Sequence, residues 1–266
     1  MGEKFDISYV FTFFPKLLST LQTTLFIVAG ALLAGLIVGF VVALPRLYKV
    51  PVLQRLAQIY ASFFRGTPIL IQLFLFYYGL PEVLKLAGID VSRTPVLAFV
   101  ILTYGLHTGA YVSETIRSAV TSVDRGQVEA AYSVGMSGFQ AFRRIVLPQA
   151  LAIAVPVLAN VTLALLKDTS LAFSLGVMEM TGKTQTLATL TNHFVESYIS
   201  LALIYLVISI VLERLLLLLE RRLLRHEKRP VESYAAPRRG WFPGFGRSAG
   251  RTAGRERSVR LREEAR

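Results

Sequence analysis

Five long apolar segments, almost free of charge, dominate this chain and limit what it can become. A helix crossing the hydrocarbon core of a bilayer needs about 20 mostly apolar residues. Segments of that kind run from about Leu17 to Leu44, Val52 to Leu80, Pro95 to Ile116, Ile145 to Leu166 and Tyr198 to Leu219. Arg65, Gly66, Pro68, His107 and Glu114 interrupt the second and third. Charged residues make up 17% of the chain, against about 25% in an ordinary soluble domain. The expected fold class is an all-α membrane protein with five transmembrane helices.

Basic residues set the direction of insertion. With the N-terminus outside, one side holds Arg46, Lys49, Arg55, Arg117, Arg125, Arg143, Arg144 and everything from Arg214 onward. That is 22 of the 29 basic residues. The outer side keeps Lys4, Lys16, Lys85, Arg93, Lys167 and Lys183, and Arg65 lies within the second span. The loops alone give the same bias as the tail, so the C-terminus is expected to be cytoplasmic.

Cysteine is absent, which excludes disulfides and thiolate metal sites. His107, His193 and His226 share no ligand spacing, so no metal site is expected. Glu3 and Asp6 stand where a cleavable signal would carry basic residues, and the first span is expected to double as the insertion signal. Residues 1–16 are aromatic and apolar with polar breaks. They fit either a short helix lying in the outer interface or a plain start to the first span. Residues 223–266 mix Arg with Pro, Gly, Ser and Ala, too little apolar surface to offset ordering entropy. A basic, disordered cytoplasmic tail is expected there. Its charge suits anionic lipid headgroups at about 1 kcal/mol per residue near the surface. A topology anchor with no partner is the alternative, and no nucleic-acid partner is expected.

Between the third and fourth spans lies a long polar segment of about 117–147. Its centre reads Gly126-Gln127-Val128-Glu129-Ala130-Ala131-Tyr132-Ser133-Val134-Gly135. Glu129 near the start of a short helix suits the macrodipole, Ala130 and Ala131 are strong formers, and Gly135 is a natural stop. Leu147-Pro148 follows, with Pro148 placed in the first turn of the fourth span, where its missing donor is harmless. A short helix with small residues on one face suits docking into a partner's groove; a simple connector is the alternative.

Glu129-Ala130-Ala131, Gly135 and Leu147-Pro148 together resemble the EAA motif of type I ATP-binding-cassette importer permeases. Phe64-Arg65-Gly66-Thr67-Pro68 with Gln72-Leu73-Phe74 resembles the second-span signature of the polar amino acid permeases. Glu114, Arg117 and Gly126-Gln127 extend the likeness. Leu147-Pro148-Gln149-Ala150, Pro156, Asn160 and Lys167-Asp168-Thr169-Ser170-Leu171 complete it, and the likeness covers about residues 17–222. It implies the type I importer fold and a helix, around Glu129 to Gly135, that docks on a separate ATPase. Gln127, Glu129, Ala130, Ala131, Gly135, Leu147 and Pro148 would couple to that subunit, which would bind ATP and Mg; this chain would bind no cofactor. The implied partners are the ATPase subunits, an extracytoplasmic solute-binding protein, a second permease (a homodimer is favoured) and a polar amino acid. Neutral-polar, basic and acidic amino acids all stay open, with cystine one candidate among them. The implied location is the bacterial inner membrane.

A charge at the bilayer centre costs at least about 2.5–3.5 kcal/mol. Polar groups within the spans should therefore face water or one another. Asn160, Lys167, Asp168, Thr169 and Ser170 offer both charge signs with amide and hydroxyl groups, as an amino acid requires. They are candidates for the substrate path, with Arg65, Thr67, Gln72 and Glu114. The structural alternatives are a Lys167–Asp168 pair that caps the helix, a break or bend of the second span at Arg65 to Pro68, and a Glu114–Arg117 pair.

The stretch Gly176 to Thr184 misses the phosphate-loop pattern, with five residues between its glycines where four are needed. No catalytic constellation is recognisable, so the chain is not expected to be an enzyme. A lone channel or ion-coupled carrier is the rival function; a carrier is disfavoured by the lack of internal repeats.

Overall fold

The computed structural model describes residues 5–224. The tail expected from the sequence lies, from Arg225 on, outside the described residues. Helix α1 (Ile7–Leu18) leads into α2 (Leu21–Leu47), α3 (Pro51–Gly66) and α4 (Ile69–Leu86). Then come α5 (Val96–Thr121), α6 (Arg125–Ser133), α7 (Gly138–Leu175), α8 (Met180–Thr191) and α9 (Phe194–Leu223). Among the described residues, five helices are long and apolar enough to cross a membrane: α2, α4, α5, α7 and α9.

The second sequence segment needs correction. Val52 to Leu80 is not one helix. Thr67 and Pro68 take extended backbone, with ψ of 145° and 137°, and divide α3 from α4. The residue before a proline is driven out of the helical region by the proline ring, which is why the break falls there. Gln72 then staples the gap. Its Nε2 donates to Phe64 O, Thr67 O and Thr67 Oγ1 at 2.7–3.0 Å, and its Oε1 accepts from His107 Nδ1 at 2.9 Å. The side chain is 1% exposed. Gln72→Leu leaves those buried groups without partners and should destabilise the protein by about 2–3 kcal/mol, read as a lowered melting temperature in detergent.

The fourth span also begins earlier than Ile145. Ser137 and Gln140 form a reciprocal capping box, and the helix runs from Gly138. Pro148 is therefore inside α7 rather than in its first turn. A wide π turn at Phe142–Val146 precedes it, and another at Leu75–Gly79 precedes Pro81. Each ends two residues before a proline. A proline lacks its amide donor and crowds the carbonyl four residues back, so the extra residue in the turn relieves both faults.

Helices α2 and α5 run side by side in the same direction and approach very closely. A Cβ built on Gly35 would meet Thr108 at 2.7 Å, and one on Gly39 would meet Val112 at 2.5 Å. One on Gly105 would meet Ala34 at 2.8 Å, and one on Gly109 would meet Val38 at 2.9 Å. Each helix thus carries two glycines four residues apart that face the other, the small-residue packing that lets membrane helices touch. Ile27, Ala31, Leu73, Val100, Tyr104 and Leu166 fill the core beside this seam. Tyr104 also donates its hydroxyl to the Asp168 carbonyl, tying α5 to α7.

At the other edge, α1 is a helix separate from α2. Its Phe13 and Leu17 pack with Met180, Leu201 and Ile204 of α8 and α9. Asp6 N–H donates to Glu196 at 2.8 Å, and Tyr9 stacks on His193 at 3.8 Å. Glu179 caps α8 by accepting from Gly182 N–H at 3.0 Å, and burial holds its carboxyl above the ordinary range. The amides at that helix start are thus already engaged by the chain itself.

Candidate coupling helix and polar path

The helix α6 is short because both ends are chemically marked. The Asp124 carboxylate accepts from Gly126 N–H at 2.7 Å and caps its start. Gly135 ends it with φ +83°, a conformation that glycine adopts without penalty. Met136 N–H closes back on Ala131 O at 3.0 Å. The helix begins at Arg125, so Glu129 sits in its middle rather than near its start.

Its two faces differ. Ala131 is buried against the body of the protein. Glu129 and Ala130 are exposed, as are Tyr132 at 53% and Val134 at 75%. Beyond Gly135, Phe139 is 71% exposed. A cleft of about 490 Å³ lies between the end of α5, α6 and the start of α7, lined by Val123, Glu129, Tyr132 and Phe142 among others. One strut joins α6 to the membrane helix: Gln149 Nε2 donates to Gln127 Oε1 at 2.6 Å and to Ile145 O at 3.1 Å. Gln127, Leu147 and Pro148 thus gather around one joint, where the wide turn of α7 lies.

The polar residues of the spans separate into groups. Glu114 is a hub that binds Arg117 one turn on, and it also binds Arg46 of α2 at 2.6 Å. Arg65 at the end of α3 stands 3.8 Å away. Sequence reading paired Glu114 with Arg117 and assigned Arg46 only to the positive side. The alternation of spans makes α2 and α5 parallel, but nothing in the sequence signals that they pack together and bring residues 46 and 114 into contact.

Thr67 and Gln72 belong to the α3–α4 break. Thr169 is fully buried, and its hydroxyl donates to Leu166 O at 2.7 Å. Lys167 is exposed, and no ion pair joins it to Asp168 among the described residues. Asp168 and Ser170 are half-buried where α7 tightens into a 3₁₀ turn over Thr169–Leu175. Asn160 is exposed and borders a groove of about 200 Å³ between α7 and α9 with Glu213 and Glu220. Sequence reading missed those two glutamates because Arg214 and Arg221 adjoin them. No cluster of side chains suited to a metal ion occurs among the described residues.

A bundle of membrane helices with polar groups at its open faces and an exposed, strutted helix at one end defines a transport permease. The chain belongs to the family described as binding-protein-dependent transport system inner membrane component, whose model matches residues 31–225. It is 49% identical over 213 residues to the L-cystine transport system permease protein TcyL of Bacillus subtilis (strain 168), covering 80% of this chain and 89% of that protein. It is 41% identical to the nopaline transport system permease protein NocM of Agrobacterium fabrum, covering 85% of this chain and 95% of the relative. Among solved structures it resembles one described as an amino acid ABC transporter with histidines, at 31% identity and a TM-score of 0.74, covering 83% of this chain and all of the other. The fold is also that of the MetNI methionine ABC transporter, at 17% identity, a TM-score of 0.62 and coverage of 82% and 99%. The chain is thus a multi-pass membrane permease of the type I importer fold, a transport subunit and not an enzyme.

Proposed function

We propose that this chain carries a polar amino acid, cystine, across the bacterial inner membrane, driven by a separate ATPase that binds ATP and Mg and grips α6. The observation that carries this reading is the geometry of α6: an exposed helix, capped at both ends, joined to a membrane helix by Gln127 and Gln149. The relatives that move cystine and nopaline support an amino-acid substrate. Two copies would pair around the path, with the N-terminus outside, the α6 end in the cytoplasm and an outer solute-binding protein delivering the substrate. Asn160, Asp168 and Ser170 would meet the substrate directly. Thr67, Gln72 and Thr169 would act on the path by holding the helices that line it.

Coupling is testable in proteoliposomes containing the permease, its ATPase and the binding protein. Glu129→Arg combined with Gly135→Val places opposite charge and a strained β-branched residue at the docking helix. Cystine uptake per ATP hydrolysed should fall about tenfold, the effect of losing roughly 1.4 kcal/mol of coupling. An unchanged ratio in a fully assembled complex would refute the docking role. Uptake that persists without ATP would favour the channel or ion-coupled carrier.

A further inference from the structure

Glu114 is outnumbered. Its two oxygens are taken by Arg46 and Arg117, and Arg65 is drawn to the same carboxylate from 3.8 Å. Three guanidinium groups around one carboxylate leave two positive charges in excess. Arg46 is deep, with its side chain 10% exposed and Nε and Nη1 without acceptors. Arg65 is placed differently. Its side chain is 43% exposed, it donates no hydrogen bond to any described residue, and it lies over the Tyr111 ring at 5.7 Å. At 3.8 Å its attraction to Glu114 is too long for a hydrogen bond.

Arg65 opens on a cavity of about 270 Å³ between α5 and α7. Ser118 adds a hydroxyl with no acceptor among the described residues, and Ile153 and Val157 supply an apolar wall. We propose that this cavity binds the carboxylate of the transported amino acid, through the Arg65 guanidinium and the Ser118 hydroxyl, as the substrate leaves.

Three features fix the chemistry. Both Glu114 oxygens are already occupied, so the site attracts an anionic group over an ammonium. A guanidinium fork matches a carboxylate bidentately. Its depth sets the direction: Glu114 precedes the α5 end at Thr121 by about 10 Å at 1.5 Å per residue. That places the cavity on the α6 side of the path, where substrate is released. Conduction needs sites that can be left as well as entered, and a half-exposed arginine in an open cavity holds an anion weakly.

The inference rests on the amino-acid reading above. The test compares L-cystine with cystamine, which lacks both carboxyl groups. Radiolabelled ligand is dialysed against the purified permease–ATPase complex, without binding protein, and cystine uptake is followed in parallel in proteoliposomes. Cystine should bind about tenfold more tightly than cystamine, as one charge-assisted contact predicts. Arg65→Gln should abolish that preference without weakening cystamine binding, since it removes a cation that repels the cystamine ammonium groups, and Arg65→Lys should restore part of the preference. Equal binding of the two ligands to the wild type overturns the site, as does no binding by a complex that imports cystine. So does an Arg65→Gln complex that keeps the preference, or one that loses both ligands alike, the mark of a structural defect. A wild-type complex that imports no cystine sinks the substrate reading and this site with it. Cystine import by the wild type together with an unchanged preference in Arg65→Gln sinks the site alone.

Discussion

Glu114→Ala should leave the permease barely able to fold, with a loss of about 3–5 kcal/mol. The carboxylate joins α2, α3 and α5 by holding Arg46 and Arg117 and attracting Arg65. Its removal leaves Arg46, already short of acceptors at Nε and Nη1, as a buried cation with no counter-charge. Much of the expected loss is therefore the stranded charge, not the bond. This has a clear consequence for rescue. Arg46→Met in the Glu114→Met background removes both ends of the closest pair and should recover at least about 1 kcal/mol over Glu114→Met alone. The measurement is a double-mutant cycle on thermal unfolding in detergent. Simple additivity of the two single losses would show that the pair is not coupled, and the hub would lose its assigned role.

Gly39→Leu should be nearly as severe. Even the first carbon of a side chain at residue 39 meets Val112 at 2.5 Å and the Gly109 carbonyl at 2.9 Å. One obstacle is backbone and cannot rotate away, so α2 and α5 must separate. Overpacking usually costs about 1–3 kcal/mol, and a displaced helix pair belongs at the upper end. A melting temperature lowered by roughly 6–12 °C is expected from about 3 kcal/mol in a chain of this size. Gly66→Ala is the control, since nothing lies within 4 Å of a Cβ there. Gly39→Ala with Val112→Ala should recover part of the loss of Gly39→Ala alone. If Gly39→Leu melts like the wild type, the close parallel seam is wrong.

The helix α6 was legible because its signals are local: Ala130 and Ala131 favour a helix and Gly135 stops it, each acting on its own backbone. Its true start was not legible, because Glu129 reads as lying near it and the cap is Asp124, five residues earlier. The interruption at Thr67-Pro68 was legible because its signal is local too, as a break or bend of one span. That it separates two helices depends on Gln72, whose partners Phe64 and His107 lie 8 and 35 residues away. The two wide turns went unread because Pro148 reads as part of a first turn and the second span reads as ending just before Pro81, whereas the helix continues through both prolines. Glu114 was read with Arg117 because helical spacing pairs residues three apart; Arg46 is 68 residues distant.

The sequence by itself determined the class of protein, the number of apolar spans and the position of the short helix α6. Hydrophobic length, capping chemistry and proline are properties of a few adjacent residues and need no fold to be expressed. Tertiary structure alone decided which helices touch, which charges meet and where a cavity opens. Those depend on the parallel packing of α2 against α5, where paired glycines remove the side chains that would keep two helices apart. Once the backbones are that close, three arginines from separate helices converge on one glutamate, and no local pattern encodes that meeting.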